Sequence, residues 1–237
     1  MPILNRPHLA TDMLCDSLDA GGPISMLALQ GVLELVRHHN IDYPDMYDRL
    51  YAMFEPEMFA TRYKKRLMHL ADIFLSSTHL PESLVAAFAK RISRLALVAS
   101  PEDTKGLLQL VANLLLRHPA LKRMICCEDT PAIMSNDPYV MEESSAQRAR
   151  ALGSSLWEVR VLQRHWEPAV STAAAHLLAS ADARVRPERA VWLEGDDCTF
   201  DAELKKRFKT IEVNFIRPQS MALPTGERLL PYWELMA

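Results

Sequence analysis

From Ile24 to Leu115 apolar side chains return every three or four positions, and each run is cut by a proline or a capping turn. Only packed α-helices satisfy that spacing. Met26, Leu29, Val32, Leu33 and Val36 make one stripe between Ile24 and His39, with Glu34 and Arg37 on the opposite side. Met46, Leu50 and Phe54 make a shorter one, entered through Asn40-Ile41-Asp42 with Asp42 as cap and Pro44 in the first turn. Pro56 to Leu75 reads as a single helix carrying Phe59, Tyr63, Leu67, Leu70, Ile73 and Phe74 on one face. After the break Ser76 to Pro81, Leu84, Phe88, Ile92, Leu95 and Ala99 define the next helix. Pro101, Glu102 and Asp103 open another, striped by Leu107, Leu110, Val111, Leu114 and Leu115 and ended by His118-Pro119.

Ahead of these, a first helix spans His8 to Leu18 and stops at Gly21-Gly22, whose freedom at positive φ suits a tight reversal into Pro23. Only 7 glycines and few Val/Ile/Thr alternations occur in 237 residues, so the fold class is all-α. Antiparallel helices joined by short turns, nearly all with broad apolar faces, predict stacked pairs in a HEAT-like α-solenoid rather than a four-helix bundle.

Residues 126–146 break the pattern with Asp129-Thr130-Pro131, Asn136-Asp137-Pro138-Tyr139 and Glu142-Glu143, predicting an acidic surface loop. Helices resume with Leu152, Leu156, Val159 and Leu162 through Trp166, then with Val170, Ala174, Leu177 and Leu178 after Pro168. Beyond Pro187 the periodicity fades into a short helix over Phe200 to Lys209 and a strand-like alternation of Ile211, Val213 and Phe215. The expected organisation is a helical domain at 1–182 followed by an extended tail at 183–237.

Formal net charge is -3, which disfavours a stand-alone DNA binder. The charge is unevenly spread: residues 61–125 hold 11 basic and 4 acidic side chains, whereas 1–60 hold 3 and 9. Any RNA contact is therefore expected on the basic middle helices, at Arg62, Lys64, Lys65, Arg66, Lys90, Arg91 and Arg94. The alternative for those side chains is an ordinary solvated face. The longest apolar run, Leu84 to Ala89, is far below the roughly 18 residues a membrane helix needs, and no charged-then-apolar leader opens the sequence. Cys15, Cys126, Cys127 and Cys198 lack disulfide or CxxC patterning and read as free thiols of an intracellular protein.

No HExxH, GxSxG, GxxxxGK[ST] or GxGxxG motif is present, so neither a catalytic set nor a cofactor is predicted. His38-His39 and His118 fall at helix ends, where an imidazolium can stabilise unsatisfied carbonyls. Glu194, Asp196, Asp197 and Asp201 lack calcium-loop spacing and read as a solvated turn, not a metal site. Glu158, three residues after Ser155, reads as the closing residue of a capping box. Trp157 and Trp166 are expected against the core, with exposure of one of them to a partner as the alternative.

Several strings go beyond generic helix. Asp19-Ala20-Gly21-Gly22-Pro23-Ile24-Ser25, His38-His39-Asn40-Ile41-Asp42-Tyr43-Pro44-Asp45, Asp72 to Pro81 and Lys90-Arg91-Ile92-Ser93-Arg94 resemble, in order, motifs of the CCAAT-binding factor (CBF) domain family. Arg117-His118-Pro119, Asp137-Pro138-Tyr139 and Ser154-Ser155-Leu156-Trp157-Glu158, with His165 and Pro168, continue the match. The resemblance is firm over about residues 10–181 and looser over Phe200 to Lys206 and Ile211 to Pro218. It implies a HEAT-like scaffold of the nucleus and nucleolus, paired with nucleolar protein fourteen in the small-subunit processome that matures pre-ribosomal RNA. No catalytic residue comes with it. Family members are usually about twice this long, and Trp166 stands where they usually carry tyrosine.

Two functions follow as expectations. The first is a non-enzymatic assembly factor that contacts protein partners through Trp157, Trp166, Ile211, Val213 and Phe215. The second is a nucleic-acid-binding or transcription-associated module using the basic middle helices, at most as a weak contact with pre-ribosomal RNA because no base-reading motif accompanies them.

Overall fold

The computed structural model describes residues 10–39, 45–125 and 137–179, together with 201, 204 and 205. Among the described residues, eight α-helices order the first of two compact units, which spans Met1–Asp196. They are α1 (Thr11–Asp19), α2 (Gly22–His39), α3 (Met46–Ala52), α4 (Lys64–Phe74), α5 (Glu82–Ala96), α6 (Pro101–Arg117), α7 (Trp157–Leu162) and α8 (Pro168–Ala179). Short 3-10 turns lie at Pro56–Ala60, Pro119–Met124 and Ala151–Gly153, and no strand occurs among the described residues. The second unit begins at Asp197, and its described residues Asp201, Leu204 and Lys205 are helical.

Neighbours in sequence pack as pairs: α1 with α2, α5 with α6 and α7 with α8, while α6 also meets α8 and α4. The reversal between α1 and α2 uses φ +77° at Gly21 and +61° at Gly22, a region costly for any residue with a Cβ. Ser25 fastens it by donating its hydroxyl to the carbonyls of Leu18 at 2.5 Å and Ser17 at 3.2 Å. α6 starts as its sequence dictates: Pro101 needs no donor in the first turn, and the Ser100 hydroxyl accepts from the Asp103 N–H at 3.3 Å.

The core runs through these pairs. Leu29, Val32, Leu67, Ile92, Leu107, Leu110, Val111 and Leu114 are wholly buried, and Phe88 packs edge-on against Tyr51 at 5.2 Å and Phe54 at 6.1 Å. Leu35, absent from the expected stripe of α2, is wholly buried too.

Two expected helices are interrupted. Pro56 to Leu75 divides because Thr61 is extended (φ -94°, ψ 148°) and its hydroxyl donates to the Met58 carbonyl at 2.6 Å, closing a turn before α4 can start. α7 ends at Leu162 rather than running to Trp166; Arg164 and His165 donate to Val161 and Leu162 in tighter i-to-i+3 bonds ahead of Pro168. The turn at Asn40 to Pro44, most of the acidic stretch at 126–136 and the segment carrying Ile211, Val213 and Phe215 lie outside the described residues. Among the described residues no helix is long and apolar enough to cross a membrane.

Candidate functional site

α5 is buried all round, with every residue from Leu84 to Ser93 inside. Small side chains at Ala86, Ala87, Ala89 and Ser93 let neighbouring elements approach it closely. Its basic positions therefore cannot stay in water, and a buried cation is tolerable only with counter-charges and hydrogen bonds. Lys90 has no exposed surface, Arg91 is buried and the Arg94 side chain is three-quarters buried. The counter-charges of Lys90 and Arg94 come from some 40 to 70 residues further along the sequence.

The Lys90 ammonium meets the Ser155 carbonyl at 2.6 Å, Glu158 Oε1 at 2.8 Å and Asp137 Oδ2 at 2.9 Å. Arg94 bridges the same two carboxylates, Nε to Glu158 Oε1 at 2.6 Å and Nη2 to Asp137 Oδ2 at 2.7 Å. Asp137 Oδ1 also accepts from the Ser154 hydroxyl at 2.6 Å and the Tyr139 N–H at 3.2 Å, and Oδ2 accepts from the Trp157 indole N–H at 2.9 Å. The Trp157 ring lies 5.3 Å from the Lys90 ammonium and 5.1 Å from the Arg94 guanidinium, within cation–π range. Two cations face two anions, so the node is neutral and every ammonium proton has an acceptor.

Beside it, Arg91 donates to the carbonyls of Phe54 at 2.7 Å and Met141 at 3.0 Å, and its guanidinium sits 4.4 Å from the centre of the Tyr51 ring. Tyr51 and Tyr139 share a hydrogen bond of 2.7 Å between buried hydroxyls. Asp48 accepts from the Ala146 N–H at 2.9 Å. The stretch after Asp137, expected as a surface loop, is thus sewn onto α3 and α5, with Tyr139, Ala146 and Ala149 in the core.

Electrostatics follow the donors. Burial alone pushes the Asp137 carboxyl up, but donors from Ser154, Trp157, Lys90 and Arg94 outweigh it and hold the group well below the usual carboxylate range. Glu158 is buried more completely, and burial raises its carboxyl although Lys90 and Arg94 oppose the shift. Burial, then the bond to Tyr51, pushes the Tyr139 hydroxyl up. Burial lowers the His118 imidazole, and its Nε2 has no hydrogen-bond partner. The expected imidazolium cap is corrected at His118: it closes α6 with its backbone N–H, donated to Leu114 at 2.9 Å.

The expected site residues divide. Lys90, Arg91 and Arg94 turn inward, which corrects the expectation that they join a basic surface. Lys64 is partly buried and pairs with Asp103 at 2.8 Å, Lys65 is half-exposed, and Arg62 and Arg66 are exposed. Trp157 is half-buried in the node, whereas Trp166 is 76% exposed, against the expected core placement. Ile211, Val213 and Phe215 lie outside the described residues. The capping-box reading of Glu158 is also overturned: α7 begins at Trp157 with no side-chain cap, and Glu158 is wholly buried against Lys90. From the residues alone Asp137 reads as part of a turn and Ser154 as part of a helix start; the signal for their shared site is a lysine on a helix face lined by alanines.

Among the described residues no group of three or more His, Cys, Asp or Glu side chains could hold a metal ion. Cys15 is a half-buried free thiol.

Residues 25–174, which contain the whole node, match the model of the CBF/Mak21 family. The chain is 42% identical over 216 residues to "Nucleolar complex protein 4 homolog B" of Xenopus laevis, covering 91% of this chain and 41% of that protein. It is 40% identical over 239 residues to "Nucleolar complex protein 4 homolog" of Homo sapiens, covering 99% and 46%. With the protein of the same name from Rattus norvegicus it shares 49% identity over 175 residues, covering 74% and 34%. The chain thus spans less than half the length of these relatives. Their names place them in the nucleolus, which is the compartment of this chain as well. With its helical pairs, its ordered motifs meeting in one buried node and this match across more than half its length, the chain belongs to the CBF/Mak21 family.

Proposed function

We propose that the chain is a non-enzymatic scaffold in nucleolar ribosome biogenesis, acting in the small-subunit processome as one half of a heterodimer with nucleolar protein fourteen and supporting pre-ribosomal RNA processing. One observation carries this reading. The motifs Lys90 to Arg94, Asp137 to Tyr139 and Ser154 to Glu158 meet in a closed, neutral network that joins distant segments and leaves no ionised group free for chemistry. Side chains that in an enzyme would face a substrate are here consumed in holding a surface in shape. Membership of the CBF/Mak21 family and the names of the relatives support the nucleolar assembly role.

The test is affinity purification of the tagged chain from nucleolar extract at moderate salt, with and without nuclease. Nuclease-resistant recovery of nucleolar protein fourteen and other processome proteins supports the reading. Their absence beside the intact chain refutes it.

A second reading, a weak auxiliary contact with pre-ribosomal RNA, is favoured by the exposure of Arg62 and Arg66 and by the lack of acidic residues in the first turn of α4. Affinity for RNA should then fall steeply with salt.

A further inference from the structure

We infer that the outer ridge of α7 and the corner that follows it form a docking surface for an acidic peptide segment of a protein partner. The inference rests on the scaffold reading and adds the surface and the chemistry of what it holds. α7 turns Glu158, Val159 and Leu162 inward, which leaves Arg160 and Val161 on its outer side, and Arg164 follows in the turn just past its end. All three are exposed, Val161 by 51%. Arg160 donates one N–H to the Ile125 carbonyl at 3.2 Å, which steadies the side chain while its charge stays at the surface.

Two residues past Arg164, Trp166 is 76% exposed. Its indole is not a loose side chain: it lies against the His165 ring, with centroids 5.4 Å apart and planes tilted by 32°. His165 is fixed in turn, since its Nδ1 accepts the Glu167 N–H at 3.0 Å. A large aromatic held out in water by a fixed neighbour is preorganised as an anchor, because little rotamer freedom remains to be lost on binding.

Charge selects the occupant. Between Val159 and His176 the sequence has Arg160, Arg164, His165 and His176 but only Glu167 as an acid. An apolar centre of Trp166 and Val161 flanked by guanidinium groups complements a peptide carrying an apolar side chain among carboxylates. Two arginines around a valine make a poor track for a phosphate backbone, which needs a longer run of cations.

The test uses a fluorescein-labelled peptide of Glu and Asp around a central Phe-Leu pair, and its counterpart with Lys for every acid. Binding to the whole chain is followed by anisotropy at low salt. The acidic peptide is expected to bind and the basic one not. Trp166→Ala and Arg164→Glu should each weaken binding at least tenfold with unchanged melting curves, and the basic peptide should gain affinity for Arg164→Glu. Equal binding of both peptides, or acidic-peptide binding indifferent to both variants, overturns the inference. So does preferential, Trp166-dependent binding of a single-stranded RNA oligonucleotide in the same assay. Loss of nucleolar protein fourteen from the purification above, with the peptide result intact, instead refutes the heterodimer reading alone.

Discussion

The basic runs of α4 and α5 look alike in sequence, Lys64-Lys65-Arg66 in one and Lys90-Arg91 with Arg94 in the other, yet they end in opposite environments. Arg66 stays in water and Lys64 leans on a single carboxylate, Asp103. Lys90 loses all exposure and gains two carboxylates and a carbonyl. The difference lies not in the helices but in what is folded onto them: α5 receives the segments around Asp137 and Glu158. Helical periodicity fixes which side chains share a face, and a face becomes interior or exterior only when distant sequence supplies its partners.

The sharpest way to break the comparison is Lys90→Met, which keeps the length of the stem and removes the charge. Asp137 and Glu158 would then share Arg94 alone in a buried site, and losing one member of such a set costs about 3–5 kcal/mol. Urea unfolding should register that loss. Combining Lys90→Met with Glu158→Leu restores neutrality, with Arg94 still paired to Asp137, so the double variant should fall short of the summed single costs by about 2 kcal/mol.

Asp137→Asn comes next, at about 2–3 kcal/mol at neutral pH, because an amide cannot accept from five donors as a carboxylate does. It carries a pH signature. The folded-state carboxyl is held below its unfolded value of about 3.9, so its contribution is complete above that value and is lost as pH falls below it. Stability of the native chain should drop on an acid limb under pH 4, and Asp137→Asn should flatten that limb; an unaltered limb would show that Asp137 does not control it. His118 adds a milder loss in the same direction just above, since its lowered value makes the unfolded state the better proton acceptor as pH falls through about 6.5.

Where partners are local, the residues themselves spell the result. α6 follows from Pro101, its acidic first turn and its leucine stripe, and the glycine pair before Pro23 makes the predicted reversal. Where partners are remote, the same reading gives the wrong environment. Glu158 has the spacing of a cap but serves Lys90 from 68 residues away, and Asp137 sits in a turn motif whose task is to accept five hydrogen-bond donors. The usual burial of large aromatics places Trp166 inside; the early end of α7 at Leu162 turns the following corner outward instead. The node was therefore visible only as a set of ordered motifs, with no physical reason for their company until the chain is folded.

On α4 the effects should shrink with exposure. Lys64→Met removes a pair whose side chains keep 18% and 7% of their surface in water, and Ser100 still donates to the remaining carboxylate at 2.9 Å. A loss of about 1–2 kcal/mol is expected by urea unfolding, clearly below that of Lys90→Met.

Arg62→Glu with Arg66→Glu sits at the end of the scale. Both side chains are exposed, so stability should change by no more than about 0.5 kcal/mol. If α4 and the turn before it offer their charge to RNA, the double variant should bind a single-stranded oligonucleotide more weakly, and the slope of log affinity against log salt should shrink by about 1.4, the value for two lost phosphate contacts. Stability and RNA affinity thus separate on α4 as they cannot on α5, where removing the charge unfolds the surface that would bind. Should the α4 variant melt early, its arginines too are engaged within the chain, and the contrast between the two helices becomes one of degree.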